Sequence, residues 1–205
     1  MVMKGQYLER PTVIPSGELY LEGLFHRGRR EPAVLILAPI ALGGSPMETP
    51  IVAELAWALH RSKRATLRFN PRGFGASQGE PGDADTRIAD ALCALTVLRE
   101  SAESPEGTAA VVGIQSSAEL ALALVRQDPA LRALVLLAPS VSLHAELANG
   151  PRPPTQVVVS EGDPWPGPRG RIGTLRVDEV PNTDAQFLRG LPLFGQAITS
   201  FLDTL

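Results

Sequence analysis

Short, continuously apolar runs alternate along this chain with longer segments of helical periodicity, and that alternation constrains the fold more than any other feature. Three of the runs are AVLILAPI (33–40), TAAVVGI (108–114) and LRALVLLAPS (131–140). A strand that is apolar along its length is covered on both faces, as the strands of a parallel sheet are. The runs RATLRFN (64–70) and TQVVVSEG (155–162) also have the length of strands. We therefore predict a strand at each of the five.

The segments between these strands have the spacing of helices. Residues 46–62, 85–101 and 117–127 place apolar side chains along one helical face. A β-α unit, TLRVDEVP and PLFGQAITSFLDTL, ends the chain, and YLERPTVI with ELYLEGLF predicts a hairpin near its start. Strands that alternate with helices predict an α/β fold with a doubly wound, mostly parallel sheet and helices on both faces. Such sheets bind ligands at the carboxyl ends of their strands.

Composition limits the class of protein and of partner. A length of 205 residues with 44% apolar content fits one domain, which we place at 1–205. The net charge of −3 argues against a nucleic-acid partner. No apolar stretch approaches the ~20 residues of a membrane helix, and the first residues lack the apolar core of a signal peptide. We expect a cytoplasmic protein that does not bind membranes.

Cysteine and motif content limit the chemistry. Cys93 is the sole cysteine, so no internal disulfide can form, and its place in a helical apolar pattern favours a buried, unreactive thiol. The sequence holds no phosphate-binding loop, no zinc motif and no complete dinucleotide motif. We therefore expect neither a metal ion nor a cofactor.

Three segments carry a resemblance to a known family. LILAPIALGGSP (35–46), LRFNPRGFGASQGE (67–80) and GIQSSA (113–118), in that order and spacing, resemble the small bacterial α/β hydrolases related to dienelactone hydrolases and carboxylesterases. The resemblance extends from about Leu19 to Leu205, and the glycine-rich segment is its most specific part. It implies an α/β-hydrolase fold in which a serine sits on a sharp strand-to-helix turn, with an aspartate and a histidine later in the chain.

The spacing of small residues places a glutamine, and not a serine, at the tip of that turn. The turn requires small residues two positions before and two after its tip. Gly113 and Ser117 satisfy this requirement around Gln115, whereas a tip at Ser116 would place Ile114 where a small residue is needed. A glutamine amide cannot act as the nucleophile.

Ser116 has a structural explanation of its own. Ser116 and Glu119 have the spacing of a capping box, in which the serine accepts a hydrogen bond from a free N–H of the first helical turn. We favour this capping role over a role as nucleophile.

The positions of the acid and the base also depart from the family pattern. Counting from Gly162, Trp165 stands where the resemblance implies the acid, and Asp163 is the nearby carboxylate, in an Asp-Pro step typical of a turn. Ala185 stands at the position of the histidine, and no histidine follows His144. His144 is the one histidine that we place near the carboxyl ends of the strands, because His26 and His60 are expected at the surface.

The segment before the last strand indicates a further departure. DPWPGPRGRIG (163–173) contains three prolines and three glycines, so the helix expected there is shortened or missing. Trp165 would then cover the exposed sheet or anchor a partner, and we favour the first role. Residues 141–154 are too few for a substantial lid.

These observations favour a catalytically degenerate hydrolase-fold protein, a pseudoenzyme that acts as an interaction or regulatory module with a protein partner or as a homodimer. Its altered positions are Gln115, Trp165 and Ala185. One alternative is a weak serine esterase that uses Ser116, His144 and Asp163.

A second alternative is a small-ligand sensor that retains the old pocket. In it, Gln115 and the N–H groups near Ile40 and Ser116 would hold a carbonyl or carboxylate.

Overall fold

The strands of the computed structural model, which describes residues 9–40, 44–102, 108–148 and 153–205, lie in one sheet. Five helices accompany the nine strands of these ranges. The strands are β1 (Arg10–Ser16), β2 (Leu19–His26), β3 (Arg30–Leu37), β4 (Arg64–Phe69), β5 (Ala109–Ile114), β6 (Leu131–Leu137), β7 (Thr155–Ser160), β8 (Gly170–Ile172) and β9 (Leu175–Val180). The helices are α1 (Pro50–Arg61), α2 (Ala84–Ser101), α3 (Ala118–Gln127), α4 (Leu143–Ala148) and α5 (Leu191–Leu202).

The sheet is parallel in its centre and antiparallel at its edges. Its strand order is β1-β2-β4-β3-β5-β6-β7-β9-β8. The six strands β4, β3, β5, β6, β7 and β9 run parallel to one another, while the β1–β2 hairpin and β8 pair antiparallel with their neighbours. The predicted doubly wound, mostly parallel sheet is confirmed, as are the N-terminal hairpin and the strands and helices predicted in the centre of the chain.

Two apolar layers cover the sheet, one on each face. Alternate side chains of β5 supply both layers, since Val111 packs with the layer under α2 and α3 and Val112 packs with the layer under α1 and α5. Strands β4 and β5 are buried along their whole length. This burial explains why their sequences lack the polar alternation of a half-exposed strand.

The segment between β7 and β9 contains no helix. Residues 161–174 instead form turns and the three-residue strand β8, as the prolines and glycines predicted. Trp165 is only 3% exposed and packs into the layer under α2 and α3, so its indole covers the sheet. The alternative, in which Trp165 anchors a partner, is wrong because the side chain is buried.

The glycine-rich segment after β4 is a tight turn held by a polar network. Asn70 is fully buried, and its amide donates to Glu22 Oε2 and Ser45 Oγ at 2.8 Å while its carbonyl oxygen accepts from the backbone N–H of Met47. Gly75, with a φ of 57°, lies so close to Asn70 that a Cβ would come within 2.1 Å of the amide nitrogen. The glycine spacing of this motif is therefore explained by backbone geometry.

Two of the three histidines are less exposed than the sequence predicted. His26 is 8% exposed and His60 is half-buried, with ring centroids 3.6 Å apart where the end of β2 meets α1. Burial, together with the nearby His26, lowers the pKa of His60. The expectation of a surface position is wrong for His26, because β2 pairs with β4 and His26 stacks on His60, which itself remains partly exposed.

Two smaller predictions are settled by burial and by helix length. Cys93 is half-buried and packs against the core, less completely enclosed than expected. No helix in the described ranges combines the length and the apolarity needed to cross a membrane.

Candidate functional site

The turn between β5 and α3 has the geometry of a strained elbow with Gln115 at its tip. Residues 115–117 form a single 3₁₀ turn, and Gln115 has a φ of 49°, a left-handed value that is uncommon for residues other than glycine. A Cβ on Gly113 would lie 2.6 Å from both the Ala121 Cβ and the Ser117 carbonyl oxygen. The close approach of strand and helix therefore requires glycine at 113, in agreement with the predicted frame.

The side chain of Gln115 reaches the segment that follows the last strand. Its amide nitrogen Nε2 donates a hydrogen bond of 3.0 Å to the carbonyl oxygen of Ala185. Two of the positions singled out in the sequence thus meet across 70 residues of chain. The contact pairs an amide with a backbone carbonyl, and neither group has an ionisable proton at neutral pH.

The two serines of this turn are engaged with the segment after β3. Ser116 is exposed, and its Oγ accepts a 3.0 Å hydrogen bond from the N–H of Ile40. Ser117 is buried, and its hydroxyl donates to the carbonyl oxygen of Ala38. Helix α3 begins at Ala118, one residue later than a cap at Ser116 requires, and no side chain caps it. The predicted capping box is wrong because the 3₁₀ turn directs Ser116 toward Ile40.

His144 and Asp163 contact other groups. His144, on α4, packs edge-on against Trp165 with ring centroids 5.6 Å apart. Asp163 follows β7, and its Oδ1 accepts a 2.9 Å hydrogen bond from the N–H of Trp165, the arrangement of an Asx turn. No hydrogen bond connects Ser116 with either residue in the part of the chain that the structure describes.

The segment that carries Ala185 is organised by Asp184, a residue that no sequence motif singles out. Asp184 Oδ1 accepts from the N–H groups of Leu188 (3.0 Å) and Gln186 (3.1 Å). The Leu188 N–H, with a smaller contribution from Arg189, lowers the pKa of this carboxyl. Phe187, with a φ of 59°, anchors the segment in the core, while Leu188 is 84% exposed. The signal in the sequence was an aspartate in a segment without apolar periodicity, a residue type that favours Asx turns.

Two cavities adjoin the turn, and the residues predicted to form one pocket do not line the same cavity. Ser116 lines a cleft of about 220 Å³ between α2 and α3, together with Arg87, Ile88 and Glu119. Ile40 lines a separate space of about 10 Å³. Gln115 lines neither of these two cavities. The Ile40 N–H, which the sensor alternative assigns to a ligand carbonyl, already donates its hydrogen bond to Ser116 Oγ.

No cluster of three or more potential metal ligands is present in the described residues.

Comparison with known proteins rests on structure alone. No family model and no curated protein matches the chain. Among solved structures, an α/β serine hydrolase without a lid from Xanthomonas campestris is 18% identical, with a TM-score of 0.77 over 96% of this chain and 94% of that one. The fold is that of the α/β hydrolases.

Two further α/β-hydrolase-like structures agree. An α-β serine hydrolase homologue from Coxiella burnetii is 20% identical, with a TM-score of 0.73 over 96% of this chain and 97% of that one. A protein of unknown function from Agrobacterium tumefaciens is 21% identical, with a TM-score of 0.74 over 96% and 95%. In the α/β-hydrolase fold the nucleophile lies on the sharp turn from a central strand to the next helix, and here that turn carries Gln115.

Proposed function

We propose that this α/β-hydrolase-fold protein is catalytically degenerate and acts as an interaction or regulatory module. The observation that carries the proposal is the contact between Gln115 at the tip of the elbow and the carbonyl oxygen of Ala185. A serine hydrolase needs an ionisable base within hydrogen-bond reach of a hydroxyl at this point. An amide and a backbone carbonyl supply neither a nucleophile nor a base.

The contacts of the remaining polar residues support the same proposal. Ser116 Oγ accepts from the Ile40 N–H, so the serine and one candidate oxyanion donor are bonded to each other. Asp163 is engaged in its own turn, and His144 packs on the buried Trp165. The esterase alternative requires all three of these contacts to rearrange around one substrate.

Two exposed apolar side chains after the carboxyl ends of strands support the interaction role. Leu188 after β9 and Val141 after β6 are 84% and 49% exposed, and both follow carboxyl ends of parallel strands. Exposed apolar side chains that a folded segment holds in place lose little conformational freedom on binding. The proposed partner is another protein or a second copy of this chain.

Ester turnover tests the proposal against the esterase alternative. We expect purified protein to hydrolyse p-nitrophenyl acetate at a rate that Ser116→Ala and His144→Ala leave unchanged, because neither residue forms part of an activated pair. Ser142→Ala, which removes an exposed hydroxyl from a different loop, is the matched control. A loss of about a hundredfold or more in both Ser116→Ala and His144→Ala, with Ser142→Ala unaffected, would establish general-base catalysis and reject the pseudoenzyme.

A further inference from the structure

A second cleft lies at the opposite end of the sheet from the elbow. Its walls include Pro154 and Thr174, which directly precede the parallel strands β7 and β9, and Phe201 and Thr204 at the end of α5. The volume is about 400 Å³, within the range of small-molecule sites. The elbow, by contrast, follows the carboxyl end of β5, so the two regions are separate.

Two arginines stand directly opposite each other in this cleft. Arg171 on β8 and Arg176 on β9 are cross-strand partners in the antiparallel ladder, and both line the cleft. Like charges in this arrangement destabilise a sheet unless an anion lies between them. Arg176 Nε pairs with Asp178 at 2.7 Å, whereas Arg171 forms no ion pair with any residue that the structure describes. The facing groups therefore carry one uncompensated positive charge.

A buried glutamine fixes the geometry of this group. Gln156 is fully buried in the otherwise apolar interior of β7 and lies in register beside Arg176. Its Nε2 donates to Asp178 Oδ2 at 2.6 Å and to the Ala197 carbonyl oxygen at 3.1 Å, while its Oε1 has no partner among the described residues. Burying an amide with one unsatisfied oxygen is costly, so its retention here calls for an explanation. Its effect is to hold Asp178, and through it Arg176, in one position.

We propose that this cleft binds a small monocarboxylate between Arg171 and Arg176. Guanidinium groups bind carboxylates through paired, charge-assisted hydrogen bonds, and the two arginines present donors from opposite strands. The single uncompensated charge matches one carboxylate, whereas a dianionic phosphate would be repelled by Asp178. Phe201 gives the cleft an apolar wall for the body of the acid.

Titration followed by amide NMR tests this site, with sodium benzoate and sodium acetate as probes at constant ionic strength. We expect saturable shifts at Gly170, Gly173 and Thr204, with benzoate binding more tightly than acetate. Arg171→Gln should raise the dissociation constant of benzoate by about tenfold or more. Arg132→Gln, which removes an exposed arginine of β6 outside the cleft, should leave it unchanged.

Three results would overturn the inference. The first is that the amide shifts saturate with neither benzoate nor acetate. The second is that Arg171→Gln and wild type bind benzoate with the same dissociation constant. The third is that phosphate binds more tightly than benzoate. Arg171 is exposed on an edge strand and makes one side-chain hydrogen bond to the Gly173 carbonyl oxygen, so its replacement should not unfold the protein. The outcome is independent of ester turnover at the elbow, because the two regions share no residue.

Discussion

Replacing Asp90 with alanine should lower the free energy of unfolding by about 3–5 kcal/mol, the cost of breaking a buried ion pair by removing one partner. Asp90 lies on α2 and has no exposed surface. Its Oδ1 accepts hydrogen bonds from Arg72 Nη2 at 2.6 Å and from Ser16 Oγ at 2.7 Å. Without this carboxylate, the Arg72 guanidinium loses the ion pair that compensates its charge. Thermal unfolding should then shift downward by roughly 6 to 20 °C.

Two variants check the cause of this loss. Asp85→Ala, which removes an exposed carboxylate from the first turn of the same helix, should cost about 1 kcal/mol or less. The double variant Arg72→Met with Asp90→Leu should be less destabilised than Asp90→Ala, because no unpaired charge remains. Equal losses in Asp85→Ala and Asp90→Ala would contradict the role assigned to the buried pair.

The same pair gives stability a pH dependence of known sign. Burial raises the pKa of Asp90, but the hydrogen bonds from Arg72 and Ser16 outweigh it and hold the pKa below its ordinary value. Since the unfolded state binds the proton more readily, the contribution is complete above about pH 4 and is lost as the pH falls through the folded pKa. The difference in unfolding free energy between wild type and Asp90→Asn should shrink over that acidic range.

Valine in place of Gly113 should destabilise the protein by about 3 kcal/mol through overpacking at the elbow. The new Cβ would lie 2.6 Å from the Ser117 carbonyl oxygen and 2.9 Å from the Ala118 Cα, both backbone atoms that can yield only if α3 moves. Urea unfolding measures the loss. Displacement of α3 should also perturb the Ser116 contact with Ile40 and therefore the amide shift of Ile40.

Ala123→Val is the matched control for this substitution. Ala123 lies on α3, the helix that a side chain at 113 would displace, but it lines the 220 Å³ cleft, so added methyl groups find space there. We expect a change of about 0.5 kcal/mol, close to the helix propensity of a β-branched residue. If Gly113→Val were no more destabilising than Ala123→Val, the close approach of β5 and α3 would not be the reason for glycine at 113.

The order of elements could be predicted because burial on both faces leaves a plain signal in the sequence. The continuous apolar runs at β3, β5 and β6 mark strands covered by two layers of helices. Strand β8 and helix α4 could not be predicted in this way. A strand of three exposed residues and a helix of six residues show too little periodicity in the sequence, and β8 is fixed by its pairing with β9.

At the candidate site, backbone requirements were predictable and side-chain partners were not. The small residues at 113 and 117 identified Gln115 as the tip of the elbow, and the structure gives this residue a left-handed φ. The contact of Gln115 with Ala185 joins segments 70 residues apart, so no local pattern could reveal it. Ser116 shows the limit of local patterns. Its spacing from Glu119 predicted a capping box, but its Oγ accepts a hydrogen bond from the N–H of Ile40 after β3.

Intact-mass analysis after incubation with a fluorophosphonate probe tests the central claim most directly, namely that this fold holds no activated serine. Wild type and Ser116→Ala are compared, with an active serine hydrolase labelled in parallel as a control. We predict no adduct on wild type, since Gln115 occupies the tip of the elbow and Ser116 Oγ accepts from the Ile40 N–H. A stoichiometric adduct on wild type that disappears in Ser116→Ala would contradict the account and identify Ser116 as a nucleophile.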